Sequence, residues 1–167
     1  VSGCFDMLHS GHVAFLKEAS EFGDVYIGLG SDKTIKELKG RESINSEDER
    51  IYMLSALSCI TKVIINKGSG LLDFLDTMKA LKPDFFIVNE DGHTPEKELL
   101  CEEMNIEYVV LKRMPHANFP ARSSTTLRSI KPFPYRIDLA GTWIDQPYVS
   151  KFYPGSAITA SLEPTIE

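Results

Sequence analysis

The chain has 167 residues, of which 43% are hydrophobic and 25% are charged, and its formal net charge is −6. This composition is typical of a soluble globular protein with room for one ordinary domain and a short appendage. The negative balance argues against a nucleic-acid partner, because binding a phosphate backbone needs excess positive charge. The longest apolar runs have the length of strands, not of membrane spans. Three dispersed cysteines without a CxxC pair favour neither a zinc site nor a disulfide framework, and they fit a cytoplasmic protein.

Short strand-like runs alternate with amphipathic runs along the chain. The opening residues have the character of the end of a strand, so we expect the sequence to be a piece of a longer protein. Runs rich in β-branched or aromatic residues, with little polar alternation, predict buried strands at 25–29, 62–65, 84–88 and 107–111. Helices are predicted at 11–22, 47–57, 71–81 and 95–105. A Ser46–Glu49 capping box opens the second predicted helix, and Pro95 opens the fourth.

This alternation predicts an α/β fold, a Rossmann-like parallel sheet with helices on both faces. In such sheets, ligands bind beyond the carboxyl ends of the strands, where the strand order reverses. After the last predicted strand come a loop with two prolines, a short helix at 123–130 and a new strand-like run at 135–140. We therefore expect a first domain at 1–130 and a short C-terminal extension at 131–167.

The first dense motif is GCFDMLHSGH at residues 3–12, between the first strand and the first helix. A helix N-terminus favours phosphate through its unpaired amides and partial positive charge, and Gly3 and Gly11 permit close backbone approach. His9 and His12 are three residues apart, so on a helical turn both imidazoles face the same way and can stabilise charge on phosphate oxygens. A metal pair or a structural turn is the alternative, although HxxH alone supplies too few metal ligands.

This motif resembles the HxGH signature of the cytidylyltransferase-like nucleotidyltransferases, and the resemblance covers residues 1–130. Lys39 matches a lysine by which members of this family reach the triphosphate or the acceptor's phosphate. Glu37 stands where some members have a second lysine. Arg50 matches the arginine that follows this lysine loop. The alternative for each of these cations is a solvated, charged helix face.

The third motif is RSSTTLR at residues 122–128, which resembles the family's ISTT motif for the NTP phosphates. Arg122 and Ser123 replace the Gly-Ile that usually precedes it, and a simple helix N-cap is the alternative interpretation. A weaker fourth element contains Asp91, after a predicted strand, where members of the family contact the nucleoside. A turn explains this segment equally well.

The resemblance implies an enzyme that transfers a nucleoside monophosphate, CMP in the first instance, from CTP or ATP to a small phosphorylated acceptor, and releases pyrophosphate. It implies catalytic roles for His9, His12 and Lys39, and acceptor binding by Arg50. Nucleotide binding is implied for ten further residues: Gly3, Cys4, Phe5, Asp6, Gly11, Asp91, Arg122, Ser124, Thr125 and Thr126. Magnesium would accompany the NTP with few protein ligands, and a homodimer is expected. The alternative is a catalytically inactive nucleotide-binding or scaffold domain.

The C-terminal residues carry a second resemblance. Residues 134–147 and the shorter run 154–156 are similar to the opening of the GHMP sugar kinases. This similarity implies a longer parent protein that joins a sugar kinase to a nucleotidyltransferase, and hence a sugar phosphate as the acceptor. The glycine-rich ATP loop of those kinases does not occur in this sequence. The alternative is a structural tail in which Trp143 packs on the core.

Overall fold

A computed structural model of the chain describes residues 1–112, 114–129, 135–140 and 158–162. The chain divides into two compact units, Val1–Leu127 and Arg128–Glu167. In the first unit, five strands alternate with helices. The strands are β1 (Ser2–Gly3), β2 (Tyr26–Leu29), β3 (Lys62–Ile65), β4 (Phe85–Asn89) and β5 (Glu107–Leu111). The helices are α1 (Ser10–Ala19), α2 (Asp32–Lys39), α3 (Glu47–Ser55), α4 (Leu75–Leu81) and α5 (Pro95–Glu103). A sixth helix is α6 (Ser124–Ser129).

The strands of the first unit form two parallel groups. β1 pairs with β2, and β2 pairs with β3, so that Gly3 lies opposite Leu29 and Leu29 opposite Ile65. β4 pairs with β5, with Asn89 opposite Leu111. One hydrophobic core contains residues of both groups and of α1, including Leu16, Ile27 and Ile87. The predicted α/β architecture with parallel strands and covering helices is therefore confirmed.

Local sequence signals explain where most helices begin. The predicted capping box is present, because the Ser46 hydroxyl accepts from the Glu49 amide while the Glu49 carboxylate accepts from the Ser46 amide. Pro95 stands at the start of α5, where Thr94 caps the helix. The helix predicted at 71–81 is interrupted: a 3₁₀ turn at Gly70–Leu72 precedes α4.

Helix α2 is the element that the sequence analysis treated as a loop. Its eight residues include three lysines. Ser31 caps its start, and it ends at Gly40, which has the left-handed conformation with φ 63°. A short, strongly polar helix shows little hydrophobic periodicity in the sequence. The start and end of α2 are instead marked by its two capping residues, Ser31 and Gly40. The lysine matched to the family's loop is thus the last residue of a helix.

The described part of the second unit is an antiparallel pair, β6 (Tyr135–Ala140) and β7 (Ile158–Leu162). The strand predicted at 135–140 is confirmed. Trp143 and residues 154–156 lie outside the described residues, so the kinase-like interpretation of this segment stays a prediction, as does the domain boundary at 130/131. Within the described ranges, no helix combines the length and the apolar character needed to cross a membrane.

Candidate active site

The turn from β1 into α1 holds the two predicted catalytic imidazoles. His9 is the N-cap residue of α1, and its Nδ1 atom accepts from the amides of Gly11 at 3.2 Å and His12 at 3.4 Å. A neutral imidazole that accepts at Nδ1 carries its proton on Nε2. The capping contacts therefore place the proton of a neutral His9 on its Nε2 atom.

The rings of His9 and His12 lie together, as their helical spacing predicts. They are stacked, with centroids 3.8 Å apart and planes at 18°, and the edge of Phe5 packs on His12 at a centroid distance of 5.1 Å. Phe5 reaches this position with a left-handed backbone, φ 47°, which is uncommon outside glycine. Both histidines are half-buried. The two imidazoles are thus held side by side and remain partly open to solvent.

The two glycines of the motif are required by close packing. A Cβ atom on Gly3 would lie 3.0 Å from the Phe5 ring. A Cβ atom on Gly11 would lie 3.1 Å from the His9 ring and 3.3 Å from the carbonyl oxygen of Arg122. The second of these contacts brings the first and third sequence motifs to the same corner of the molecule, although they are more than a hundred residues apart.

Arg50 is completely buried beneath this corner. Its Nη1 atom donates to the carbonyl oxygens of Cys4 and Gly30, both at 2.7 Å, and its Nε atom donates to that of Asn45 at 3.1 Å. Its Nη2 atom pairs with Asp32 at 2.7 Å. Four of the five guanidinium N–H groups thus join the loops after β1 and β2 to the start of α3. Acceptor binding by Arg50 stays a prediction, and in this arrangement it would use the remaining N–H.

Asp6 also holds a loop in place. Its Oδ1 atom accepts from the amides of Ile44 at 2.7 Å and Asn45 at 3.2 Å, and its Oδ2 atom pairs with Arg41 at 2.8 Å. Burial alone would raise the pKa of this carboxyl, but these hydrogen bonds outweigh burial, and the pKa lies below its ordinary value. The carboxylate therefore anchors the segment between α2 and α3 against the motif, and both its oxygens are engaged with protein donors.

Lys39 is exposed at the end of α2. Burial raises the pKa of the Cys4 thiol, and the positive charge of Lys39 opposes this shift, whereas the negative charge of Asp73 adds to it. The Lys39 ammonium is thus close enough to the residue that follows β1 to act on it electrostatically. Nucleotide binding by Cys4 and catalysis by Lys39 remain predictions that this placement accommodates.

The serine and threonine motif forms the start of α6. The Ser123 hydroxyl accepts from the Thr126 amide at 3.0 Å and lies 2.7 Å from the Thr126 hydroxyl. Ser124 is half-buried, and Thr125 is exposed. Asp91 is exposed in a 3₁₀ turn, Glu90–Gly92, directly after β4. Nucleotide binding by Asp91, Ser124, Thr125 and Thr126 stays a prediction.

Sequence reasoning missed a buried polar group behind the ends of β2 and β3. Asn66 donates to Asp73 at 3.1 Å and accepts from the Thr77 hydroxyl at 3.0 Å. A Cβ atom on Gly28 would lie 2.7 Å from the Asn66 amide oxygen, so a larger residue there would displace this group. Asn66 directly follows a strand, which was the one signal that could have identified it.

In the described part of the chain, no group of three or more His, Cys, Asp and Glu side chains is arranged to hold a metal ion.

Comparison with known proteins identifies the family. The cytidylyltransferase-like family model matches residues 1–130. The bifunctional protein HldE of Syntrophotalea carbinolica is 43% identical over 97 residues, which cover 57% of this chain and 19% of that protein. HldE of Helicobacter hepaticus is 40% identical over 114 residues, covering 65% of this chain and 23% of that protein. The chain thus spans about a fifth of the length of these curated relatives.

Among solved structures, the lipopolysaccharide core biosynthesis protein of Thermoplasma volcanium superimposes with a TM-score of 0.57. The match covers 70% of this chain and 94% of that protein at 24% sequence identity, and it supports the fold. The family match ends at residue 130, and the similarity of the following residues to sugar kinases is not confirmed by it. Through residues 1–130, which include the stacked imidazoles, the chain belongs to the cytidylyltransferase-like family of nucleotidyltransferases.

Proposed function

We propose that the chain transfers CMP from CTP to a sugar phosphate and releases pyrophosphate, with ATP as the alternative nucleotide. The observation that carries this proposal is the stacked pair His9 and His12 at the N-terminus of α1, directly beside the backbone of Arg122. Two stacked imidazoles at a helix N-terminus suit a phosphate group on which negative charge develops. Family membership supports the same class of reaction.

In the proposed reaction, an oxygen of the acceptor phosphate attacks the α-phosphorus of the NTP. A bond forms between that oxygen and the α-phosphorus, while the bond from the α-phosphorus to the bridging oxygen breaks and pyrophosphate leaves. This in-line displacement depends on positioning and charge neutralisation, and it needs no protein nucleophile. The Nε2–H of His9, fixed by its capping contacts, donates to an α-phosphate oxygen, and His12 donates beside it.

The other motifs are proposed to contact the rest of the nucleotide. Lys39 neutralises charge on the triphosphate, and the backbone of the first motif lies against the nucleotide. The β- and γ-phosphates lie at the start of α6, where Arg122, Ser124, Thr125 and Thr126 are exposed or half-buried. Asp91 is proposed to contact the nucleoside.

Magnesium would enter with the NTP and neutralise charge on its phosphates, with few protein ligands. Asp6 does not fit as one of its ligands, because both carboxylate oxygens are bound by protein donors. We assign Asp6 to shaping the loop around the nucleotide.

We also propose that this chain is part of a longer, bifunctional protein. The curated relatives are called bifunctional, and this chain spans about a fifth of their length. This supports a parent protein in which the nucleotidyltransferase is joined to a second enzyme, which the C-terminal resemblance suggests to be a sugar kinase. A cytoplasmic location and a homodimer complete the proposal.

A pyrophosphate-release assay tests the function. The common ribonucleoside triphosphates are each incubated with a panel of phosphorylated sugars and polyols, and product mass identifies the transferred group. We expect release with CTP, or with ATP, that depends on both the acceptor and magnesium. Nucleotide binding without pyrophosphate release from any pair would support the inactive alternative. Release with ATP and not CTP would correct the base while leaving the reaction class intact.

A further inference from the structure

A cavity of about 420 Å³ opens at the amino ends of β2 and β4. Residues 22–26, which lead into and begin β2, line it on one side. Residues 81–87, which lead into and begin β4, line it on another. The cavity therefore lies between the two groups of parallel strands.

Helices cover this cavity on both faces. Ala19 of α1 and Met78 of α4 are both among its lining residues. Successive residues of a strand point to opposite faces of a sheet. On β4, Ile87 packs in the core cluster that contains Ala19, whereas Phe86 packs in the cluster that contains Met78. The cavity thus has the surroundings of a central strand, with a strand at each edge and a helix on each face.

Strand β1 leads directly into this cavity. It has two residues, whereas β2 to β5 have four or five. Val1 continues its ladder with β2, because the Val1 nitrogen donates to the Tyr26 carbonyl at 3.0 Å and the Val1 carbonyl accepts from the Gly28 amide at 2.9 Å. Val1 and Ser2 both line the cavity. Burial lowers the pKa of the Val1 ammonium to about 6, since a charged group here takes the place that a neutral strand amide would fill.

We propose that the cavity binds an extended segment of the longer parent protein, which continues β1 between β2 and β4. The segment carries apolar side chains on both faces, as parallel strands between two layers of helices do. Alternate residues of a parallel strand bond to the same neighbour, so the second residue before Val1 donates to the Asp24 carbonyl and accepts from the Tyr26 amide.

The residues between these face β4, which pairs only with β5 in the part of the chain that the structure describes. The segment thereby joins the two groups of strands into one five-stranded sheet. The inference rests on the longer parent of the proposed function and not on its chemistry. The HldE relatives, of which this chain spans about a fifth, are long enough to supply such a segment.

The test adds four residues, Val-Ile-Val-Val, before Val1 of the full chain, with Ser-Gly-Ser-Gly as the length-matched control. Both extensions replace the buried ammonium with an amide, and the first also brings apolar side chains into the cavity. We expect the urea midpoint of the apolar variant to exceed that of the control by roughly 1 M, because burial of these side chains outweighs the cost of ordering four residues. Circular dichroism measures both midpoints.

Hydrogen exchange under native conditions locates the added segment. The amides of β4 should exchange roughly tenfold more slowly in the apolar variant than in the control, since they gain a strand partner, and those of β5 should change much less. Equal midpoints for the two extensions, or self-association of an apolar extension that stays exposed, would overturn the inference. So would a stabilised chain in which β4 exchanges as it does in the control. None of these results bears on pyrophosphate release, so the proposed reaction would stand.

Discussion

The carboxyl ends of the strands carry buried, hydrogen-bonded polar side chains, whereas the amino ends border an open cavity of about 420 Å³. At the carboxyl ends, Arg50, Asp6 and Asn66 are each at least 98% buried. At the amino ends, the cavity is lined by side chains that include Phe22, Val25, Met78 and Phe85. The cavity is the more conspicuous concave feature, yet the family motif and its imidazoles lie at the other end. In this molecule, the first sequence motif lies among ordered polar groups and away from the cavity.

The strongest test of this contrast is the removal of Arg50. Arg50→Met leaves the carbonyls of Cys4 and Gly30 without this donor and leaves Asp32 without its cation. We expect the free energy of unfolding to fall by roughly 3–5 kcal/mol, as when one partner of a buried ion pair is removed. Urea denaturation followed by circular dichroism measures the change.

The matched control for Arg50→Met is Lys33→Met on the exposed face of α2. Lys33 makes an i,i+4 pair with Glu37 at 3.8 Å, and its side chain is 78% exposed. Its loss should cost less than about 0.5 kcal/mol. Similar losses of stability for the two variants would show that the guanidinium does not hold the corner together.

Removal of the His12 imidazole should have the next largest effect, on turnover and not on folding. His12→Ala is expected to lower turnover by roughly 10²–10³-fold, the usual loss for one donor to a transition state. Pyrophosphate release at saturating substrates measures it. His116→Ala, an exposed histidine in the same unit, should turn over at the parent rate. A folded His12→Ala chain with near-parental turnover would remove this imidazole from the mechanism.

The loss of stability caused by Asp6→Asn should depend on pH. Asp6→Asn keeps a carbonyl oxygen for the amides of Ile44 and Asn45 but loses the ion pair with Arg41. At neutral pH, we expect a loss of roughly 1–3 kcal/mol in the free energy of unfolding. The pKa of Asp6 is lowered in the folded chain, so its contribution is complete above the ordinary carboxyl pKa and disappears as pH falls through the lowered value.

The stability difference between the parent chain and Asp6→Asn should therefore narrow below about pH 4. Urea midpoints of both chains, measured from neutral pH downwards, give this difference directly. A difference that stays constant, or grows as the pH falls, would contradict the assignment of the carboxylate as the stabilising form.

The sequence predicted the alternation of elements and the shared direction of His9 and His12, because both depend on local periodicity and spacing. It did not predict that Arg50 is buried, since three of its four acceptors are backbone carbonyls from segments far apart in the chain. Helix α2 was missed because its eight residues are strongly polar.

The smallest expected effect tests the amino-end cavity. Val25 is 5% exposed and lines this cavity just before β2. Val25→Ile adds one methylene that the empty volume can accept, so we expect a gain of up to about 0.8 kcal/mol in the free energy of unfolding. Turnover should not change, because the cavity lies at the opposite ends of the strands from the imidazoles. A loss of stability would show that the wall beside Val25 is too rigid for the extra carbon. A change in the acceptor or NTP KM would show that the cavity affects substrate binding. It would then contradict the functional separation of the amino and carboxyl ends of the strands.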